Sequence, residues 1–302
     1  MSDQKQTVSL VLGSGGARGL SHIGVIKWIE ENGFVIQSIA GSSMGALIGG
    51  IYATGKLDVY ENWVRALERV DIIRLLDFSF TLSGLFKGER IIDVLKKLIG
   101  DVNIEDLPIT FTAVASDLDA EREVWINKGS LFDAIRASIA IPTVFTPHKI
   151  KGRRLLDGGL MNPIPIAPTM QDMTDLTIAV NLSARAEAKY DKGKVGAEHH
   201  NTKSKYRRAI DEFIDSVQER FRDVEEPEEA GFFDIVSQSF DALQNSIARL
   251  KLAAYSPDVV IDVPKNICSI YEFDRASELI GIGYERARDT MSQYKKRNSK
   301  AG

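Results

Sequence analysis

Residues 35–53 read VIQSIAGSSMGALIGGIYA. Val35 to Ala40 form a short apolar run of strand character, and Ala46 to Ala53 are small and apolar, suited to a buried helix. Between them stands Gly41-Ser42-Ser43-Met44-Gly45, a G-x-S-x-G placed where a buried strand hands over to a helix. A strand, a tight turn and a helix with Ser at the apex is the nucleophile elbow. Gly41 and Gly45 permit the sharp turn and close helix packing. Ser43 would then sit at a helix N-terminus, where backbone dipoles favour developing negative charge. Ser42 occupies the first x position and is out of register for that role. The bland alternative is a glycine-rich turn with no chemistry.

Working outward, short apolar runs recur at 7–12, 109–115, 153–156, 175–181 and 258–263, with a more amphipathic run at 122–126. Segments of helical spacing lie between most of them, at 20–32, 44–55, 58–69, 88–99 and 130–139. This alternation predicts an α/β fold with a mostly parallel sheet covered on both faces. Ligands of such sheets gather at the carboxyl ends of the strands. The elbow and a glycine-rich loop at 13–19 both fall at such ends.

The chain has 302 residues and a net charge of −4, which disfavours a nucleic-acid binder because phosphate contacts want a basic face. A single cysteine, Cys268, excludes an intrachain disulfide. The polar start at Met1 to Gln6 shows no secretory signal, and no run approaches the roughly 18 apolar residues of a membrane span. The expectation is a cytoplasmic protein, with peripheral contact to a membrane surface left open. Residues 77–87 (DFSFTLSGLFK) read as a lid over an apolar pocket or as a packed loop. Residues 184–230 are charge-dense, with an acidic end at 225–229 and an apolar stripe of Tyr206, Ile210, Phe213, Ile214, Val217 and Phe221. A second stripe runs through Phe232, Phe233, Val236, Phe240, Leu243, Ile247 and Leu250. Both stripes are expected to dock on the protein's own core, with a membrane or dimer contact as the alternative. The segment 274–295 reads as a closing helix with a basic tail. The whole is expected to be one domain, 1–302, with its motifs in 7–183, a charged helical insertion at about 184–255 and a closing strand and helix at about 257–295.

The loop Gly13-Ser14-Gly15-Gly16-Ala17-Arg18-Gly19 does not fit a dinucleotide fingerprint, since Arg18 stands where the last Gly should be and no acid ends the second strand. It has no Lys and so is no P-loop. It fits an oxyanion hole better: adjacent glycines let the amides around Gly15, Gly16 and Ala17 point into one small space. Arg18 would hold the loop in shape or add positive potential.

A serine nucleophile needs a base. The four histidines are His22, His148, His199 and His200. None fits the order Ser, acid, His well: His22 precedes Ser43, His148 precedes Asp157, and the other two lie in the charged stretch. Asp157-Gly158-Gly159 follows a strand-like run, and its glycines permit a tight turn that would present the carboxylate at the sheet edge. A free Asp, with a pKa near 3.9, is a weak base, but partial burial would raise it.

Together these pieces resemble the patatin-like phospholipase family, including its bacterial members. The family pattern is a G-G-G-x-R-G loop, then G-x-S-x-G, then D-G-G or D-G-A. Here these are Ser14-Gly15-Gly16-Ala17-Arg18-Gly19, Gly41-Ser42-Ser43-Met44-Gly45 and Asp157-Gly158-Gly159, in the family's order. Arg136-Ala137-Ser138-Ile139-Ala140-Ile141-Pro142 resembles the family's third block, which shapes the site, and Leu20 to Val25 resembles bacterial members. The match covers roughly 7–183; the one departure is Ser14 in place of the first loop glycine. The resemblance implies a three-layer α/β/α sandwich that hydrolyses lipid acyl esters through a Ser-Asp dyad, with no metal or cofactor. It assigns Ser43 as nucleophile, Asp157 as base, and Gly15 and Gly16, assisted by Arg18, as the oxyanion site. A His-dependent esterase and a silent lipid-binding scaffold of the same fold are the competing expectations. Neither substrate headgroup nor oligomeric state is legible.

Overall fold

The computed structural model describes residues 5–75, 86–142, 144–190 and 232–299. Its centre is an eight-stranded sheet. In chain order the strands are β1 Thr7–Leu12, β2 Val35–Ser42, β3 Thr110–Asp117, β4 Arg122–Ile126, β5 His148–Ile150, β6 Arg153–Asp157, β7 Leu176–Ala184 and β8 Val259–Pro264. The spatial order is β5-β6-β3-β2-β1-β7-β8, with β4 also on β3. The five strands β3, β2, β1, β7 and β8 run parallel, and β4, β6 and β5 pair antiparallel.

Among the described residues the helices are α1 Ser21–Glu31, α2 Met44–Ala53, α3 Leu57–Arg65, α4 Arg69–Leu75, α5 Glu89–Ile99, α6 Leu131–Ser138, α7 Phe232–Tyr255 and α8 Ala276–Asn298. The two faces of the sheet are legible in β1. Val8, Leu10 and Leu12 face the larger core with α1, α2 and α8, whereas Val11 faces Ile164, Ile166, Ala179 and Ala248 of α7. Alternate residues thus bury against different helical layers, as a doubly covered sheet requires. The result is the expected three-layer α/β/α sandwich. α1 and α8 cross in close contact because Gly24 faces the Ile280 carbonyl and Gly283 faces the Ser21 carbonyl; a Cβ at either glycine would sit 1.9 Å from that oxygen.

Several expectations need correction. The expected helix 58–69 ends at Arg65, and α4 begins anew at Arg69. There the Glu68 N–H donates to the Asp71 carboxylate at 3.2 Å, one arm of a capping box. Strand β5 was not anticipated; at three residues it carries too little pattern to register. α7 does pack on the sheet, but its inner face is Gln244 and Ala248, with Leu252 and Tyr255 beside them. Leu243 and Leu250 of the expected stripe are exposed, at 63% and 68%. Small Ala248 lets the helix approach Ile164 and Ile166, and that contact sets its rotation. The stripe at 206–221, the acidic run 225–229, His199, His200 and nearly all of 77–87 lie outside the described residues. No helix among the described residues is long and apolar enough to cross a membrane.

Candidate active site

The register of β2 and β6 on β3, parallel for the first and antiparallel for the second, brings the elbow and the D-G-G turn together. Along β3, Val114 pairs with Ser42 of β2, and the next residue, Ala115, pairs with Asp157 of β6. β2 leaves the edge of β3 where β6 takes it over, so Ser43 and Asp157 emerge side by side. Ser43 Oγ donates to Asp157 Oδ2 at 2.6 Å, and both residues are buried.

Ser43 adopts φ 55° and ψ −121°, a sparsely populated conformation for a non-glycine residue. Its surroundings enforce it. The turn is so tight that a Cβ on Gly41 would lie 2.4 Å from the Gly45 carbonyl, and one on Gly45 would lie 2.0 Å from that of Leu12. The Ser43 N–H donates to Ser138 Oγ at 2.9 Å, and Ser138 Oγ donates to the Val114 carbonyl at 2.6 Å. Ser42 Oγ is buried with no partner among the described residues. It lies 2.6 Å from where a Gly158 Cβ would stand.

Asp157 is 1% exposed. Its Oδ1 accepts the Gly159 N–H at 2.7 Å, and its own N–H donates to the Ala140 carbonyl at 3.0 Å. Burial pushes its pKa up to about 7, against the opposing pull of the Ser43 and Gly159 hydrogen bonds. The Arg136 to Pro142 block therefore braces both members of the pair, through Ser138 on one side and Ala140 on the other. Sequence reasoning gave that block a shaping role without identifying Ser138 as the contact. Nothing in a lone Ser within a helical stretch signals it.

The glycine-rich loop follows β1 and folds into a short 3-10 turn, Gly16–Leu20. The Gly13 N–H donates to the Val180 carbonyl at 3.1 Å, and the Ser14 N–H to that of Pro163 at 2.8 Å. The Ala17 N–H donates to the Ile270 carbonyl at 2.9 Å. This corrects the expectation for Ala17: its amide is committed to the loop's own support and is not open to a ligand. The amides of Gly15 and Gly16 have no such partner among the described residues. Neither do those of Met44 and Gly45 at the start of α2, where helical geometry leaves the first N–H groups unpaired. Arg18 is 5% exposed and turned inward, donating from Nε to the Gly15 carbonyl at 3.1 Å and from Nη1 to that of Lys265 at 3.3 Å. Burial lowers its pKa, with the Asp241 charge opposing. It holds the loop in shape. His22 Nε2 donates to the Gly13 carbonyl at 2.9 Å, which leaves Nδ1 buried and unpartnered among the described residues. Burial pushes its pKa down to about 4, so the ring is neutral at pH 7. His148 sits on β5 against Asp133 at 3.3 Å. Neither described histidine hydrogen-bonds Ser43. Among the described residues no three His, Cys, Asp or Glu side chains gather as a metal site.

The patatin-like phospholipase family model matches residues 10–170, which span the loop, the elbow and the D-G-G turn. This chain belongs to the patatin-like phospholipase family. An uncharacterised NTE family protein of Mycobacterium tuberculosis is 38% identical, with 95% of this chain and 92% of that protein aligned. A second NTE family protein of that organism is 33% identical over 59% of this chain and 30% of its own length. Neuropathy target esterase sws of Drosophila persimilis is 32% identical over 53% of this chain and 12% of its own. The patatin core thus recurs in relatives of very different length.

Proposed function

We propose that this patatin-family chain is a serine hydrolase of lipid acyl esters, working through Ser43 and Asp157 and an acyl-enzyme intermediate. The observation that carries the reading is the 2.6 Å hydrogen bond from Ser43 Oγ to a buried carboxylate. A base with a pKa of about 7 is matched to proton transfer at neutral pH. In acylation, Asp157 Oδ2 takes the Ser43 proton as Oγ bonds to the ester carbonyl carbon. The carbonyl oxygen becomes an alkoxide, held by the amides of Gly15 and Gly16, with Met44 at the α2 N-terminus in line to add a third. Each well-placed donor lowers the barrier by about 3 kcal/mol. Asp157 then passes its proton to the departing alcohol oxygen. In deacylation Asp157 takes a proton from water, the hydroxide adds to the acyl carbon, and Ser43 regains its hydrogen as the fatty acid leaves.

The family supports an acyl-lipid substrate; on this reading the protein takes it from a membrane or micelle surface by peripheral contact. Of the described histidines, buried neutral His22 and Asp133-bound His148 offer Ser43 no base, and full activity after His199→Ala with His200→Ala would separate this dyad from a His-dependent esterase. The test is Ser43→Ala on purified protein, assayed with p-nitrophenyl butyrate and with defined diacyl and lysophospholipids, products identified by mass. A fluorophosphonate should label the wild type at Ser43, and the variant should be both unlabelled and inactive. Retained turnover in Ser43→Ala would remove the proposal.

A further inference from the structure

Two polar side chains beside the site take no part in the steps above. Ser14 and Gln244 are 6% and 7% exposed, and neither side chain has a hydrogen-bond partner among the described residues. Both converge on Gly159. A Cβ at that glycine would lie 2.5 Å from Ser14 Oγ and 2.6 Å from Gln244 Nε2. The N–H of the same glycine donates to Asp157 Oδ1 at 2.7 Å. One bare residue therefore has the base carboxylate on its amide and two unpartnered polar groups over its Cα.

We propose that Ser14 and Gln244 hold the water that hydrolyses the acyl-enzyme, with Asp157 as its base; this rests on the Ser43–Asp157 reading. Neither Ser14 Oγ nor the Gln244 side-chain amide is sealed off from solvent, so both present unused hydrogen-bonding capacity to a space that water can enter beside the base. An ordered water needs two to four polar partners and little space. Here the partners are complementary: Asp157 accepts the proton that water gives up, Ser14 Oγ accepts its second hydrogen, and Gln244 Nε2 donates to one lone pair. The other lone pair is left for the acyl carbon. The position is also the right one mechanistically. The leaving alcohol takes its proton from Asp157, so water must enter on that same side of the acyl carbon.

Neither residue comes from the family's motif chemistry. Ser14 replaces the first glycine of the loop, and Gln244 arrives from α7, outside the matched residues 10–170. Gly159 is what lets both reach the turn, since any side chain there would displace them.

The experiment separates the two half-reactions. Wild type, Ser14→Gly, Gln244→Met and the double variant are mixed with p-nitrophenyl butyrate, and release of p-nitrophenol is timed against acyl-Ser43 seen by intact mass after quenching. Ser14→Gly restores the family's own loop residue and opens no core cavity, so it keeps the test valid should Gln244→Met fold poorly. The expected result is acylation within a factor of about three, and deacylation about tenfold slower per lost hydrogen bond, so that acyl-enzyme accumulates. Equal slowing of both steps, or unchanged deacylation in Ser14→Gly, would overturn the assignment. So would an effect confined to acylation that varies with the alcohol part of the ester, which would place the pair on the leaving group instead. Fluorophosphonate labelling of wild-type Ser43 is scored separately: if it fails, the dyad reading fails first.

Discussion

Replacing Asp157 by asparagine should disable the enzyme and stabilise the protein, and the stabilisation should depend on pH. Asp157 is 1% exposed, and its pKa rises from 3.8 to about 7 because burial penalises the carboxylate. The folded state therefore keeps its proton up to about pH 7, whereas the unfolded chain releases it near 3.8. The stability linked to that proton is fully present below pH 3.8 and is lost as pH rises through about 7. The gap of about three pH units, at 1.36 kcal/mol each, gives an upper bound of about 4 kcal/mol for the whole loss. Asparagine has no proton to lose, keeps an oxygen for the Gly159 N–H, and escapes the penalty. Urea denaturation of wild type and Asp157→Asn at pH 4.5 and at pH 8 checks this. The stability of the variant relative to wild type should grow by up to about 3 kcal/mol between those pH values, since part of the loss has already occurred by pH 4.5. Wild-type kcat/KM should rise with pH through about 7 and level off, because only the ionised carboxylate can accept the Ser43 proton. A stability difference that is flat with pH would refute the claim that Asp157 is held protonated by its burial.

Two further outcomes follow from packing and support. Gly24→Ala drives a methyl against the Ile280 carbonyl, 1.9 Å from the new Cβ, so α1 and α8 must part. A loss of about 2 kcal/mol or more in a thermal or urea melt is expected, despite the better helix propensity of Ala. Ser138→Ala removes the acceptor of the Ser43 N–H. kcat should fall about tenfold with little change in KM, and stability in a urea melt should drop by about 1–3 kcal/mol, because the buried Ser43 N–H and Val114 carbonyl lose their partner.

The sheet was legible because its strands are buried on both faces and read as unbroken apolar runs, such as LVL in β1 and IAV in β7. The boundary of α3 and the rotation of α7 were not. Asp71 caps α4 through a single backbone bond, which leaves no periodic trace, and Ala248 chooses the inner face of α7 by its size against residues far away in sequence. At the site, residue types and their order pointed to Ser43, Asp157 and the loop. What they could not display is which amides are already committed. Ala17 looks as available as Gly16 in sequence, and what separates them is the carbonyl of Ile270, a residue some 250 positions away that only the folded chain brings to the loop.

The pairing of Ser43 with Asp157 is a consequence of strand register, and this explains why so few residues need to be special. β3 aligns Ser42 opposite Val114 and Asp157 opposite Ala115, consecutive positions on one strand. A slip of β6 by one residue would turn the carboxylate to the other face of the sheet. Three contacts oppose that slip. The Asp157 N–H is tied to the Ala140 carbonyl, Arg154 pairs with Asp119 at 2.7 Å across the neighbouring turn, and Gly158 passes so close to the Val114 carbonyl that a Cβ would lie 2.1 Å from it. The exposed ion pair adds little in energy. The glycine contact is steric and leaves one register available. Gly158 is therefore the residue that fixes where the Asp157 carboxylate stands beside Ser43, and that position tolerates no side chain.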